Sequence, residues 1–280
     1  MTLDVFVVVI IAAIGHAVWN ALLRVEPNKR GMLRIMFTAQ IAAALAILPF
    51  VPLPGIESLP YLATSAVIGV GAMFVLSYAY GLGDLSQVYP LSRGSAPLFV
   101  AAISTILLGE ELSWTNLAGI LLIGLGVTSL SLTRISSLQN GPLVAIALAS
   151  GLLTALCNMI DGYGARVSGS PHGYVATMAL LLSVLMVLTT RFTQRGAAAP
   201  VTARTTWFGI IAGLMSMATA WAAIWAMTRA PIPMVSALRE TSIIFATAIG
   251  IFIFRERPTF ARLLSIVLVV LGVAVLRLSA

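Results

Sequence analysis

The chain has 280 residues, of which 60% are hydrophobic and only 9% charged, with a mean hydropathy of +1.04 and a formal net charge of +7. Those proportions exclude an ordinary soluble domain. The basic residues gather in no single patch, which argues against a nucleic-acid surface, and a single cysteine, Cys157, excludes an internal disulfide and reads as a small buried apolar residue.

Apolar runs of about 20 residues, each about 30 Å long as a helix, recur along the whole length. Ten are expected, near 5–23, 32–50, 61–82, 88–108, 116–133, 143–163, 173–190, 207–227, 233–254 and 261–278. The first lacks the basic start of a signal peptide and leads straight into the others, so it reads as a permanent helix. It carries His16, Trp19 and Asn20 on one face. The third carries Phe74, Tyr78 and Tyr80, with Gly83 at its end. The fourth holds Tyr89, Pro90, Arg93, Gly94 and Pro97, and the fifth has Gly119, Gly124 and Gly126. Ser136-Ser-Leu-Gln-Asn-Gly-Pro142 then forms a polar link. The sixth segment places Asn158 and Asp161 three apart, and the eighth places Trp221 and Trp225 four apart. Pro231 and Pro233 open the ninth, which carries Arg239 and Glu240, and Gly272 lies in the tenth. The prolines beside both arginines are expected to kink their helices and free backbone groups. The glycines read as close-contact points between helices. Unbroken runs of this kind are helical spans and not the alternating strands of a β-barrel.

The sequence repeats itself. Tyr89-Pro-Leu-Ser-Arg-Gly-Ser precedes Glu110, with Arg93 and Glu110 17 residues apart, and Val235-Ser-Ala-Leu-Arg-Glu-Thr precedes Glu256, with Arg239 and Glu256 again 17 apart. Leu125-Gly-Val recurs as Leu271-Gly-Val at the same offset of 146. A weaker match lays His16-Ala-Val-Trp-Asn20 on Thr154-Ala-Leu-Cys-Asn158. The expected domains are therefore 1–137 and 138–280. Five helices per half is an odd number, so the second half runs through the membrane inverted relative to the first. The expected fold is all-α and integral to the membrane, with ten transmembrane helices as two inverted five-helix repeats around a central cavity.

Ten alternating spans sort the basic residues by face. One face receives Arg24, Lys29, Arg30, Arg34, Arg134, Arg191, Arg195, Arg204, Arg255, Arg257 and Arg262, and the other only Arg166, Arg229 and Arg277. The positive-inside rule puts the first face in the cytoplasm and both termini outside.

Arg93, Asp161, Arg239 and Glu240 are charges at membrane depth, where charge is costly and informative. Arg93 and Arg239 are equivalent through the repeat and face one central region. Each either grips a substrate carboxylate through a guanidinium fork or staples its own half. Glu240 points about 100° away from Arg239 on a helix and either meets an ammonium or proton or pairs with Arg93 or a helix end. Asp161 with Asn158 either holds an amine or forms a membrane-edge turn. His16 either titrates or bonds Asn20. Tyr78, Trp221 and Trp225, with Phe74, Tyr80 and Tyr89, either line the cavity or anchor the protein at the interface. Glu110, Glu111 and Glu256 read as turn residues that bind neighbouring arginines or cap helices, outside the transport path.

The paired Arg-x16-Glu blocks, ending in Gly109-Glu-Glu and Arg255-Glu-Arg turns, together with ten helices in 280 residues, resemble the EamA-like drug/metabolite transporters. The likeness covers essentially the whole chain. It implies an inner-membrane exporter of small metabolites with helices around a central cavity, and the YddG-type aromatic amino-acid exporters are the most similar branch. The chain differs from many relatives in placing its basic loops after the first and seventh helices.

No His-Glu-x-x-His, Gly-x-Ser-x-Gly, P-loop or Cys/His cluster is present, so no enzyme activity, metal or cofactor is expected. No filter sequence suggests a channel. The expected function is export of neutral or aromatic amino acids and related small metabolites from a bacterial cell by alternating access. The alternatives are export of lipophilic cations, of lipid-linked or sugar compounds, or an intramembrane enzyme. The expected partners are the small-molecule substrate and membrane lipids, with no nucleic acid. Because both repeats lie in one chain, a monomer is expected.

Overall fold

A computed structural model describes residues 1–82, 85–134, 141–193, 200–257 and 259–278. Gly83, positions 136–140 of the link and Arg195 lie outside the described residues. All regular structure within them is helical. The helices are α1 (Leu3–Val25), α2 (Lys29–Ile47), α3 (Leu59–Leu82), α4 (Leu85–Leu107), α5 (Trp114–Thr128), α6 (Gly141–Val167), α7 (Pro171–Thr193), α8 (Ala203–Met227), α9 (Ile232–Arg239), α10 (Ser242–Phe252) and α11 (Phe260–Leu278). With α9 and α10 sharing one span, ten segments among the described residues are long and apolar enough to cross a membrane.

Local chemistry places several ends. Glu26 precedes Pro27 and takes an extended conformation that stops α1. Asn28 then caps α2 by accepting from Gly31 N at 2.9 Å, and Thr202 caps α8 by accepting from Thr205 N at 3.1 Å. The proline expectation is corrected for the ninth span only. Pro97 lies inside α4, where its missing N–H leaves Arg93 O without the usual intrahelical donor, whereas Pro231 and Pro233 occupy the cap and first turn of α9, where a missing N–H has no intrahelical partner to lose. The ninth span breaks instead at Glu240–Thr241, where the bonds shorten to i→i−3: Glu240 N to Ala237 O at 3.0 Å and Thr241 N to Leu238 O at 3.1 Å.

The helix pairings come in symmetric couples. α1 packs on α8 as α6 packs on α3, and α2 packs on α8 as α7 packs on α3. α1 lies on α9 and α10 as α6 lies on α4. The contacts α2 with α7 and α5 with α11 are their own equivalents, so the pseudo-twofold axis passes through both. Two four-helix groups result, each drawing on both repeats: α1, α2, α8 and α9–α10, and α3, α4, α6 and α7. At the α5–α11 contact, Gly119 and Gly272 face each other, since a Cβ on Gly272 would meet Gly119 O at 2.8 Å and one on Gly119 would meet Leu276 Cγ at 2.6 Å. Such contacts substitute for the hydrophobic drive that lipid removes.

Loop contacts group the helix ends into two faces. On the basic face Arg24 pairs with Glu256, Thr205 donates to Glu26, and Asn28 donates to Pro200 O. On the opposite face Gly55 N donates to Ser168 O, Ser170 donates to Pro52 O, and Arg277 donates to Met1 O. The turns that close the Arg-x16-Glu blocks share one geometry. Gly109 and Arg255 both take positive φ, 62° and 54°, and the next N–H reaches a carbonyl six residues back: Glu110 to Ser104 at 3.3 Å and Glu256 to Gly250 at 3.0 Å. Burial pushes the Glu256 carboxyl up, but hydrogen bonds and charge from Arg24 and Arg262 outweigh it and hold the group below its ordinary range.

Two outcomes are expected in detergent melting experiments. Gly119→Val lowers the midpoint through overpacking worth about 1–3 kcal/mol, whereas Gly71→Ala, where the added carbon has open space, does not. Arg255→Gly raises the midpoint and Gly109→Ala lowers it, each by about 1 kcal/mol, because a left-handed residue costs about 1–2 kcal/mol when it carries a Cβ.

Candidate functional site

The membrane-depth charges converge where α4, α6 and the broken ninth span meet, beside α1. Arg93 Nη2 lies 3.0 Å from Glu240 Oε1, joining the first repeat to the second, and the two side chains are only 16% and 7% exposed. The Arg93 guanidinium also lies over the Tyr89 ring at 6.0 Å. Its Nε is buried without a hydrogen-bond partner. Tyr80 stands within electrostatic reach of the same arginine. Of the open alternatives for Glu240, the structure therefore shows the ion pair with Arg93.

Arg239 has a different environment. Its Nη1 donates to Asn158 Oδ1 at 3.3 Å, and Asn158 Nδ2 donates to Ser236 Oγ at 3.3 Å. Among the described residues it forms no ion pair. The nearby acids are otherwise engaged, Glu240 by Arg93 and Asp161 by the Tyr174 hydroxyl, which donates at 3.2 Å. The break in the ninth span separates the arginine that ends α9 from the acid that follows it.

The repeat explains why only one of the two arginines is followed by an acid. The residue after Arg239 is Glu240, whereas the residue after Arg93 is Gly94. A Cβ on Gly94 would meet Thr128 N at 2.7 Å and Gly124 O at 2.8 Å, so α4 and α5 leave no room there for a side chain. Arg93 is thus paired with Glu240, while Arg239 is hydrogen-bonded to Asn158 and has no acid within ion-pair distance among the described residues.

The remaining candidates are placed as follows. His16 feels the charges of both arginines and meets Trp19 edge-on at 5.1 Å. Asn20 spends its amide on His16 O at 2.8 Å. Tyr78 is 63% exposed on α3, and Phe74 is exposed beside it. Trp221 donates to His172 Nδ1 at 2.8 Å, near the opposite face, and Trp225 carries the Arg229 guanidinium at 4.5 Å. Among the described residues, none of these four side chains makes a hydrogen bond or cation–π contact with Arg93 or Arg239. Ser236 and Tyr174 were not singled out from sequence. Ser236 sits three residues before Arg239 and was legible from helical spacing, but Tyr174 reaches Asp161 only through the tertiary contact of α6 with α7.

The model of the EamA-like transporter family matches residues 5–132 and again 141–278, one match on each half. The chain belongs to the EamA-like transporter family. It is therefore a multi-pass membrane protein of a family of small-metabolite transporters, built from two repeated five-helix units. No curated protein matches it. A solved crystal structure superposes with a TM-score of 0.76 at 20% identity, covering 99% of this chain and 96% of the other, a likeness that establishes the fold alone.

Glu240→Met is expected to lower the melting midpoint strongly, because one removed partner leaves a buried charge uncompensated at about 3–5 kcal/mol. The double variant Arg93→Met, Glu240→Met is expected to recover most of that loss, and a double-mutant melting cycle checks it.

Proposed function

We propose that the protein exports amino acids, neutral or aromatic, and related small metabolites across a bacterial inner membrane by alternating access. The observation that carries this reading is the asymmetry of the two arginines: Arg93 is neutralised by Glu240, while Arg239 is held only by the neutral amide of Asn158. A substrate carboxylate supplies the missing charge through a guanidinium fork. Asp161, one helical turn beyond Asn158, offers the opposite charge to an ammonium group, and Tyr89 and Tyr80 near Arg93 offer aromatic faces. Export of lipophilic cations fits less well, because Glu240, the acid that lies between the two arginines, is already paired with Arg93. The excess of basic residues on one face supports a cytoplasmic location for that face, with both termini outside. Two complete repeats in one chain support a functional monomer.

Counterflow of radiolabelled amino acids into proteoliposomes tests the reading. Uptake of a neutral or aromatic amino acid is expected, and Arg239→Ala is expected to lower it roughly tenfold or more, the worth of a hydrogen bond to a charged group. Absence of uptake for every amino acid in sealed vesicles bearing the unaltered protein overturns it.

A further inference from the structure

The two faces are closed unequally, although the repeat makes their sealing elements equivalent. On the opposite face Arg166, near the end of α6, donates from Nε to Met227 O at 2.8 Å, from Nη2 to Ala230 O at 2.9 Å and from Nη1 to Glu110 Oε1 at 2.7 Å. Glu110 Oε2 accepts from Ile232 N at 3.1 Å, so the same carboxylate caps α9. One guanidinium and one carboxylate thus fasten α6 and the α4–α5 turn to the α8–α9 turn, which belongs to the other four-helix group. Beneath them a dry cluster including Val9, Val100, Met159, Met227 and Ile232 draws side chains from both groups. Gly162 permits that approach, since a Cβ there would meet Ile232 Cδ1 at 2.8 Å.

On the basic face the equivalent carboxylate, Glu256, holds Arg24 and Arg262. Among the described residues neither arginine reaches α3 or α4. The Arg24 side chain is 58% exposed, against 30% for Arg166. α6 packs on α8, but among the described residues α1 and α3, their equivalents, make no comparable contact. One apolar cluster toward that face, Ala79, Val88, Leu91, Leu143 and Ala147, stays within α3, α4 and α6. A Cβ on Gly81, in the last turn of α3, would meet open space.

The geometry points to two alternately engaged latches built on equivalent glutamates: Glu110 with Arg166 holds the opposite face shut in this conformation, and Glu256, held by Arg24 and Arg262, is its disengaged counterpart on an open basic face. When the basic face closes, the repeat predicts that Glu256 caps α4, as Glu110 now caps α9. These glutamates then belong to the transport cycle and not only to their turns. The inference rests on the two-group architecture and is independent of the substrate proposed above.

The test uses the full chain in sealed vesicles with Cys157→Ala as background and one reporter cysteine at a time. Met159→Cys lies beneath the latch, and Gly81→Cys lies toward the basic face. With a membrane-impermeant maleimide, Arg166→Gln is expected to raise labelling of Met159→Cys from the opposite face about tenfold, a shift of about 1.4 kcal/mol in the conformational equilibrium. It is also expected to lower labelling of Gly81→Cys from the basic face. Glu256→Gln is expected not to raise labelling of Met159→Cys. Unchanged labelling with Arg166→Gln overturns the inference, and so does an equal rise at both reporters, the signature of a loosened fold. Labelling needs no substrate, so a failure of amino-acid uptake leaves this result standing or falling by itself.

Discussion

A guanidinium at membrane depth persists only with a partner, and Arg93 finds its partner in Glu240 of the other repeat. That single contact fixes several features together. It brings α4 against the broken ninth span and engages the central acid, while Arg239 is hydrogen-bonded to a neutral amide. A buried pair of this kind contributes little net stability relative to apolar side chains, but it is severe when half-broken. Its effect is to hold the two repeats in register, so that the uncompensated charge appears at one defined place.

Around that centre, the fold keeps the two repeats from moving as separate halves. Each four-helix group combines helices from both, and the loops are stapled crosswise: Glu26 of the first repeat accepts from Thr205 of the second, and Ser168 of the second accepts from Gly55 N of the first. A conformational change that preserves these staples moves one mixed group against the other, about the self-paired contacts of α2 with α7 and α5 with α11. Gly119 and Gly272 allow the closest approach along that axis.

Much of this was legible in the sequence because lipid imposes simple demands. Runs of about 20 apolar residues must be helices, and an odd number per repeat must invert the second half. The spacing of Arg93 to Glu110 and of Arg239 to Glu256 marked a shared turn geometry, seen in the positive φ of Gly109 and Arg255. The prolines of the ninth span misled. Pro231 and Pro233 only open a helix, while the break at Glu240–Thr241 carries no proline or glycine signal. Spacing along a single helix placed Asn158 and Asp161 on one face but could not show that Asn158 meets Arg239, that Glu240 turns to Arg93, or that Trp221 turns to His172. Those outcomes depend on which helices meet, and no local pattern encodes that.

The position after each arginine has a consequence for the history of the chain. Gly94 cannot become acidic without colliding with α5, and Glu240 cannot be lost without stranding Arg93. Two copies of the first half, assembled face to face, would bring two guanidinium groups together with no central acid between them. Two copies of the second would bring in an acid for each, and no arginine would be left over. The halves are thus complementary and no longer interchangeable. A gene split at the link would yield fragments that each need the other, and a duplication that began with identical partners has become one from which neither can withdraw.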